Sequence, residues 1–275
     1  MFTKITLLVC TTLFSFSTWA QDGNVFTDPD FGQEQFELAS EDLSAAFLHT
    51  TNSGGSSLGK LSGLEVGLVF GVLESDNLAS AVEEATGEER EEFELLPYAG
   101  LIGAIALPFG IGAEVSLIPE VDIEDGVFSS FSLSARWSLT DFIPLVGSFS
   151  PLKIVARAAY GSTDFNYEFS AIGNSTEMAD FNVTNTEIGI TAGFNLFVLE
   201  PYVGLSSVRS STELNANTDS LLLPETLRSR SFSNDLSGTR ALAGVLFKFP
   251  LLRLGVEVSN YQGLNRFTGK LSFKI

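Results

Sequence analysis

Apolar residues alternate with small or polar residues in several stretches of the chain. In residues 130–139, every second residue from Phe131 to Trp137 is apolar, and the residues between them are serine or arginine. A period of two is typical of a β-strand whose two faces meet different environments. The pattern predicts ten strands, with approximate bounds 64–74, 97–107, 109–120, 126–139, 152–167, 182–196, 198–209, 238–249, 251–260 and 266–275.

The connections between these strands differ in length. Those after the second, sixth and eighth strands are very short, whereas those after the first, fifth and seventh are long and polar: 75–96, 168–181 and 210–237. Short turns on one side and long loops on the other are typical of barrels that cross the bacterial outer membrane. Three links break strict alternation: a longer turn at 140–151 and short loops at 121–125 and 261–265.

The predicted fold class is all-β, an antiparallel transmembrane β-barrel of about ten strands (roughly 8–12) with a short N-terminal helical plug or cap. A sheet that contacts lipid must close, because no water is available to the backbone groups of an open edge. A β-sandwich also alternates and is the soluble alternative. The length of the strands, their Gly- and Ser-rich polar faces and the unequal connections favour the barrel.

The first twenty residues predict a secretory signal peptide, residues 1–20. Lys4 precedes an apolar stretch, and the small residue Ala20 ends a cleavage signal. Cys10 is the only cysteine, and Val9 before it disfavours a lipoprotein signal. The chain that remains would therefore contain no disulfide and no thiolate metal site.

Residues 21–63 predict a separate N-terminal segment ahead of a barrel formed by residues 64–275. Phe36, Leu43 and Phe47 fall on one face of a short helix, and a Gly- and Ser-rich stretch then leads to the first strand. This segment could lodge inside the barrel as a plug or rest across its periplasmic mouth. It could equally be a cap that only stabilises the structure.

The formal net charge is −19, with 34 acidic residues against 15 lysines and arginines. Such an excess of negative charge argues against nucleic acid as a partner. The sequence contains no apolar run long enough for a membrane-spanning helix. The acidic residues of 83–94 lie in the predicted first outer loop, where they either hold divalent cations near lipopolysaccharide or, as we favour, form a solvated loop.

The polar faces of the predicted strands carry charged residues that would point into the lumen. Opposite charges either pair and fill a narrow barrel or line a wetter pore, and pairing is favoured because ten strands leave little room. The lumen-facing candidates are Glu65, Glu114, Arg136, Lys153, Arg157, Glu187, Arg253, Glu257, Lys270 and Lys274.

Aromatic residues gather near the predicted strand ends, where the interface between lipid and water favours their rings. The predicted periplasmic girdle comprises Phe109, Trp137, Phe142, Phe194, Phe197, Tyr202, Phe247, Phe249 and Phe273. The predicted outer girdle comprises Tyr160, Phe165, Tyr167 and Tyr261.

The sequence offers little for catalysis or metal binding. His49, the single histidine, lies at the predicted end of the helix, where it would cap carbonyl groups or lie at the surface. No serine–histidine pair is expected, so an enzyme is not predicted. No metal site and no cofactor are predicted either, since there is one histidine and no cysteine beyond the signal peptide.

The signal peptide, the alternating strands and the C-terminal strand together resemble bacterial outer-membrane β-barrel proteins. This resemblance implies a Gram-negative outer membrane, contact with its lipid and lipopolysaccharide, and insertion by the barrel-assembly machinery. Family members often end in an aromatic residue, whereas this chain ends in Ile275, two residues after Phe273. The stretches 107–115 and 142–145 are similar to an uncharacterised barrel family over about residues 35–165.

The helix-then-barrel order also resembles outer-membrane fatty-acid transporters, which carry an N-terminal hatch. Their Asn-Pro-Ala signature is missing, since residues 49–53 read His-Thr-Thr-Asn-Ser. Two functions stay open: a narrow or plugged channel or transporter for small or apolar solutes, and a structural or adhesion barrel whose acidic loops contact a partner. The sequence does not identify the solute.

Overall fold

The computed structural model describes residues 32–58, 63–80, 95–123, 126–142, 151–170, 176–218 and 229–275. The predicted signal peptide and the acidic stretch 83–94 lie outside these residues. Ten strands form the fold: β1 Gly63–Glu74, β2 Leu95–Ala106, β3 Ile111–Ile123, β4 Gly126–Ser138, β5 Leu152–Ser170, β6 Thr176–Phe194, β7 Leu199–Thr218, β8 Ser229–Lys248, β9 Leu252–Tyr261 and β10 Leu264–Lys274.

Helix α1, Gln33–Ala46, precedes the strands. A 3-10 turn, Pro108–Gly110, joins β2 to β3, and a one-turn helix α2, Leu139–Phe142, follows β4. No helix among the described residues is long and apolar enough to cross a membrane.

The ten strands form one closed antiparallel barrel. Each strand pairs with its neighbours in the chain, and β1 pairs with β10 from Glu65↔Lys274 to Leu73↔Arg266. The prediction of a ten-stranded barrel is therefore confirmed. A sandwich is ruled out, since it would leave strand edges that this sheet does not have.

The two faces of the sheet have opposite polarity. Ile188 and Leu205 point outward and are 72% and 63% exposed, while Glu187, the neighbour of Ile188 in the chain, is 3% exposed on the inner face. A band of exposed apolar side chains is unfavourable in water and is the surface that lipid requires. The inner face holds the serines and charged residues that alternate with them.

Strands β5 to β8 are much longer than the other six. They span 19 or 20 residues, against 10 to 13 for the rest. About 9–11 residues suffice to cross a bilayer, so these four strands continue beyond it as a tall wall. The prediction that residues 168–181 and 210–237 form loops was therefore wrong, because most of these residues belong to strands.

The outward face of the tall wall explains why sequence periodicity missed it. In the parts that the predicted strands left out, its outward positions carry Ser211, Glu213, Ser233 and Asp235 instead of apolar residues. With polar side chains in water there, the contrast between the two faces disappears while the backbone ladder continues. Alternation of polarity marks only the part of a strand that contacts lipid.

The barrel has a turn end and a loop end. The turn end carries the connections 107–110, 139–151, 195–198 and 249–251, and the loop end carries the other five. Phe109, Phe197 and Gly110 adopt positive φ in the tight connections of the turn end.

Most of the described aromatic residues predicted to form girdles lie on the outside. Phe109, Phe197 and Phe273 are exposed at the turn end, and Tyr160 is exposed on β5. Three predictions were wrong because the side chains point inward: Tyr202 and Tyr261 are buried, and Phe165 packs against Phe128. The side chains of residues 142 and 167 lie outside the described set.

Candidate functional site

Residues 32–58 lie inside the barrel, and we call them the plug segment. Helix α1 contacts β1, β6, β7, β8 and β10, strands that stand on different sides of the lumen. The chain then runs in extended form towards the turn end, where Leu58 lies against Gly63 at the start of β1. The sequence left open whether this segment lies inside the barrel or across its periplasmic mouth. The structure places it inside the lumen.

Helix α1 is held in the loop-end half of the lumen by apolar contacts. The ring of Phe36 lies 6.0 Å from that of Phe181 and 5.6 Å from that of Phe232. Leu43 is buried in the same cluster, and Phe47 packs 5.5 Å from Phe128. Phe36, Leu43 and Phe47, the residues proposed from helical spacing, therefore all contact the barrel wall.

Asp42 links α1 to the chain that follows β1. Its carboxylate accepts hydrogen bonds from the backbone N–H of Leu78 at 2.7 Å and from Nδ2 of Asn77 at 3.0 Å. Burial raises the pKa of Asp42 to about 7 despite these donors, and the nearby acidic residues Glu41 and Asp76 add to the rise. Asp42 therefore changes its charge near neutral pH.

The extended part of the plug segment forms no helix or strand, so its backbone carbonyls need donors from elsewhere. Arginines of the barrel wall supply them. Arg136 Nη2 donates to Gly54 O at 2.7 Å and to Ser56 O at 3.0 Å. Arg240 Nη1 donates to His49 O at 3.0 Å.

Arg266 holds the C-terminal end of α1. Its Nη1 lies within hydrogen-bonding distance of three carbonyl oxygens, those of Ala45 (3.1 Å), Ala46 (3.1 Å) and Leu48 (2.9 Å). A cation at this position satisfies carbonyls that the helix leaves unpaired and complements its dipole. The sequence had suggested that His49 might cap these carbonyls; that role belongs to Arg266.

The Gly- and Ser-rich stretch allows the plug segment to approach the wall closely. A Cβ on Gly55 would lie 2.6 Å from the carbonyl oxygen of Lys153 and 2.8 Å from the backbone nitrogen of Gly193. Any larger residue would force one of these backbones to move. Glycine at this position is therefore a requirement of the plugged state.

Buried carboxylates of the wall pair with its cations. Glu187 lies 3.0 Å from Arg240 and 3.3 Å from Arg157. Arg240 also contacts Glu257 at 3.0 Å, which in turn accepts a hydrogen bond from Tyr202. This network joins β5, β6, β7, β8 and β9 across the lumen.

Two further groups of charges lie nearer the turn end. Glu65 lies 2.8 Å from Lys270 and 3.1 Å from Arg253. Glu200 lies 2.8 Å from Lys248 and accepts a hydrogen bond from the backbone N–H of Ser56. The second group therefore ties the plug segment to β7 and β8.

The structure places the lumen-facing candidates as follows. Eight are buried on the inner face, while Arg157 and Lys274 are less fully covered; the eight are Glu65, Glu114, Arg136, Lys153, Glu187, Arg253, Glu257 and Lys270. Ion pairs join most of these candidate residues to other residues of the wall. This arrangement fits a filled interior better than a wide, wet pore.

Sequence reasoning missed several charged residues of the lumen, among them Glu200, Arg240, Lys248 and Arg266. The signal was present for Arg266, which shares its strand face with Thr268 and Lys270. Arg240 was obscured because its inward neighbours Leu242 and Leu246 are apolar and buried. The sequence of β8 therefore does not show which of its faces points into the lumen.

His49 lies in the middle of the lumen beside a serine. Its Nδ1 is 2.8 Å from Ser132 Oγ, so the expectation that no serine–histidine pair exists was wrong. Glu114 Oε2 is 3.9 Å from His49 Nε2, which is too far for a hydrogen bond, and Arg136 and Thr51 occupy this carboxylate. All three side chains of the group are buried, and the contact between His49 and Ser132 joins the plug segment to β4.

Burial lowers the pKa of His49, which favours its neutral form. No cluster of three or more histidine, cysteine, aspartate or glutamate residues within the described part of the chain is arranged to hold a metal ion.

A concavity of about 1370 Å³ is lined mainly by outward-facing side chains of β4 to β8, with Ala135, Ala156 and Ala158 among its small residues and Trp137 and Leu205 among its larger ones. These side chains belong to the apolar outer face. The concavity is therefore part of the lipid-facing surface and not of the lumen.

The model of the DUF6588 family, a family of unknown function, matches residues 22–275. The chain belongs to the DUF6588 family. The predicted resemblance to an uncharacterised barrel family is thus confirmed, and the match extends well beyond residues 35–165. No curated protein matches the sequence of this DUF6588 barrel.

Solved structures of other barrels are similar to the DUF6588 barrel at low sequence identity. The translocator domain of the autotransporter NalP from Neisseria meningitidis is 12% identical, with 84% of this chain and 91% of that chain covered and a TM-score of 0.48. Ail of Yersinia pestis is 12% identical (78% and 97% covered, TM-score 0.35), and the Escherichia coli protease OmpT is 11% identical (82% and 98%, TM-score 0.40). These values carry no function over to the present chain.

Proposed function

We propose that this protein is a plugged channel that admits small solutes when the plug segment moves. One observation carries the proposal: the barrel closes through the β1–β10 pairing, and the plug segment adds no strand to it. The plug is attached by side-chain contacts alone along most of its length. It could therefore shift while the barrel stays closed.

The location follows from the same features. We place the protein in the outer membrane of a Gram-negative bacterium, after export directed by residues 1–20, with the turn end in the periplasm. Outer-membrane lipid and lipopolysaccharide would surround the apolar band, and the barrel-assembly machinery would insert it. A ten-stranded barrel is narrow, and the charged inner face favours small polar solutes over apolar ones.

A reversible disulfide between plug and wall tests the proposal. Ser44 Oγ and Thr212 Oγ1 are 3.1 Å apart, so cysteines at both positions are close enough to pair. Cys10 lies in the predicted signal peptide, so the Ser44→Cys, Thr212→Cys protein would carry no other cysteine after cleavage. We expect openings in planar bilayers when it is reduced and silence when it is oxidised. The Ser44→Cys single variant is the matched control and should not respond to oxidant.

Deletion of residues 21–60 provides an independent measurement, since it should raise conductance. If the reduced double variant and the deletion variant were both silent while folded, the protein would not be a channel. Equal conductance of the oxidised and reduced double variant would show that the plug does not gate it.

The tall wall of β5 to β8 favours a second function, a structural or adhesion barrel. Its polar outer face, with Thr186, Arg209 and Asp235, stands beyond the apolar band and is available to a partner. Shortening the β5–β6 and β7–β8 hairpins to the length of their neighbours would then reduce surface binding or envelope integrity. Unchanged binding and integrity would count against this function.

A further inference from the structure

Among the residues that the structure describes, the barrel wall facing the lumen carries more positive than negative side chains. The whole chain, in contrast, has a net charge of −19. Five inward carboxylates, Glu65, Glu114, Glu187, Glu200 and Glu257, face eight cations, Arg136, Lys153, Arg157, Arg240, Lys248, Arg253, Arg266 and Lys270. Pairing therefore cannot neutralise every cation with a wall carboxylate. The excess positive charge belongs to the described part of the barrel wall that faces the lumen.

At three arginines of this wall, Arg136, Arg240 and Arg266, the plug segment supplies neutral carbonyl acceptors. Arg266 forms no ion pair with any described residue. Its Nη1 donates to carbonyl oxygens of the plug instead. Its ring contact with Tyr98, 4.9 Å to the centroid, supplies only a weak counter-charge. Arg136 and Arg240 each donate to a wall carboxylate and also to a carbonyl oxygen of the plug.

Movement of the plug would remove the carbonyl acceptors that it supplies to these guanidinium groups. A buried cation that loses its partner is costly, so water or an anion must take the place of the carbonyl oxygens. The planar fork of arginine suits carboxylate and phosphate oxygens, which accept two hydrogen bonds at once. Nε of Arg240 and Nε of Arg266 already lack a hydrogen-bond partner and are buried.

We infer that the opened lumen selects small anions, carboxylates or phosphates, which bind where the carbonyl oxygens of the plug now contact Arg136, Arg240 and Arg266. This inference rests on the proposed channel function. The plug would then act as an internal substitute for the solute, and solute and plug would compete for the same donors. Charged side chains that line a pore bias which ions enter it, so chloride should pass more easily than potassium.

The test is the reversal potential of the full-length protein in a planar bilayer with a KCl gradient. We expect a sign that reports preference for chloride, and a block of the chloride current by inorganic phosphate added to the bath. Arg266→Gln should reduce the chloride preference by about twofold or more. Arg209→Gln is the matched control, because Arg209 lies exposed on the outer face of the tall wall, and it should leave the preference unchanged.

The outcomes separate the two proposals. A protein that conducts with preference for potassium, or without preference, would overturn the anion inference and leave the channel intact. A protein that is silent under all conditions would overturn the channel function itself. If Arg266→Gln fails to fold, the reversal potential and phosphate block of the unaltered protein still decide the inference.

Discussion

The two halves of the plug segment are attached to the barrel in different ways. In the loop-end half, α1 satisfies most of its own backbone groups and contacts the wall through apolar side chains such as Phe36 and Leu43. In the turn-end half, the extended residues 49–56 include no apolar side chain and therefore present no apolar face to the wall. Their carbonyls depend on Arg136 and Arg240.

This difference indicates which half specifies the plugged state. Apolar contacts tolerate small shifts and changes of side chain, because burial is roughly proportional to area and has little direction. Hydrogen bonds to fixed guanidinium groups have a required geometry, and the loss of one partner leaves a buried polar group. We therefore expect the turn-end half to set the position of the plug and the loop-end half to add stability.

The largest expected effect comes from Arg240→Met. This change leaves Glu187 and Glu257 without the cation they share and removes the donor to His49 O. Breaking a buried ion pair from one side costs about 3–5 kcal/mol. Urea unfolding in detergent, followed by Trp137 fluorescence, measures this loss.

The control for Arg240→Met is Arg209→Met on the exposed outer face, which should change the free energy of unfolding by less than about 0.5 kcal/mol. Equal losses in the two variants would mean that the buried network does not hold the structure together.

The second effect is a pH dependence of the helix contact. The pKa of Asp42 is about 7 in the folded protein against an ordinary 3.8, so the folded state binds the proton more tightly than the unfolded chain. Stability is then full below about pH 4, falls as the pH rises towards about 7, and loses on the order of 4 kcal/mol in that window. Hydrogen exchange of the α1 amides measures it.

Asp42→Asn is the variant that sharpens this prediction. Its amide oxygen can still accept the hydrogen bond from Leu78, but it cannot ionise. Exchange from α1 should therefore become independent of pH between about pH 4 and pH 7 after correction for intrinsic rates. A dependence that persists in Asp42→Asn would assign the titration to another group.

The smallest of the three effects is expected for Phe36→Leu. The substitution keeps an apolar side chain but removes the ring contacts with Phe181 and Phe232, which is worth about 1–2 kcal/mol. Phe131→Leu, on the lipid-facing side of β4, is the matched control and should cost less. A loss for Phe36→Leu as large as that for Arg240→Met would contradict the division between the two halves.

The sequence by itself determined the barrel and the orientation of its side chains. Alternation is local, since each strand residue points opposite to its neighbours, and so Ile188 outside and Glu187 inside follow from the chain alone. The same parity predicted ten charged lumen residues, eight of which are buried on the inner face. It stopped where the two faces no longer differ in polarity, as at Glu213 and Asp235 on the tall wall.

Only the tertiary structure decided where the plug lies and which groups hold it. Helical spacing showed that Phe36 and Leu43 share a face, but not whether that face meets the lumen or the mouth. The contacts of Arg266 with Ala45 and of Arg240 with His49 join residues about 190 to 220 positions apart in the chain. Such partners are chosen by closure of the barrel around the segment, and no local pattern in the sequence records them.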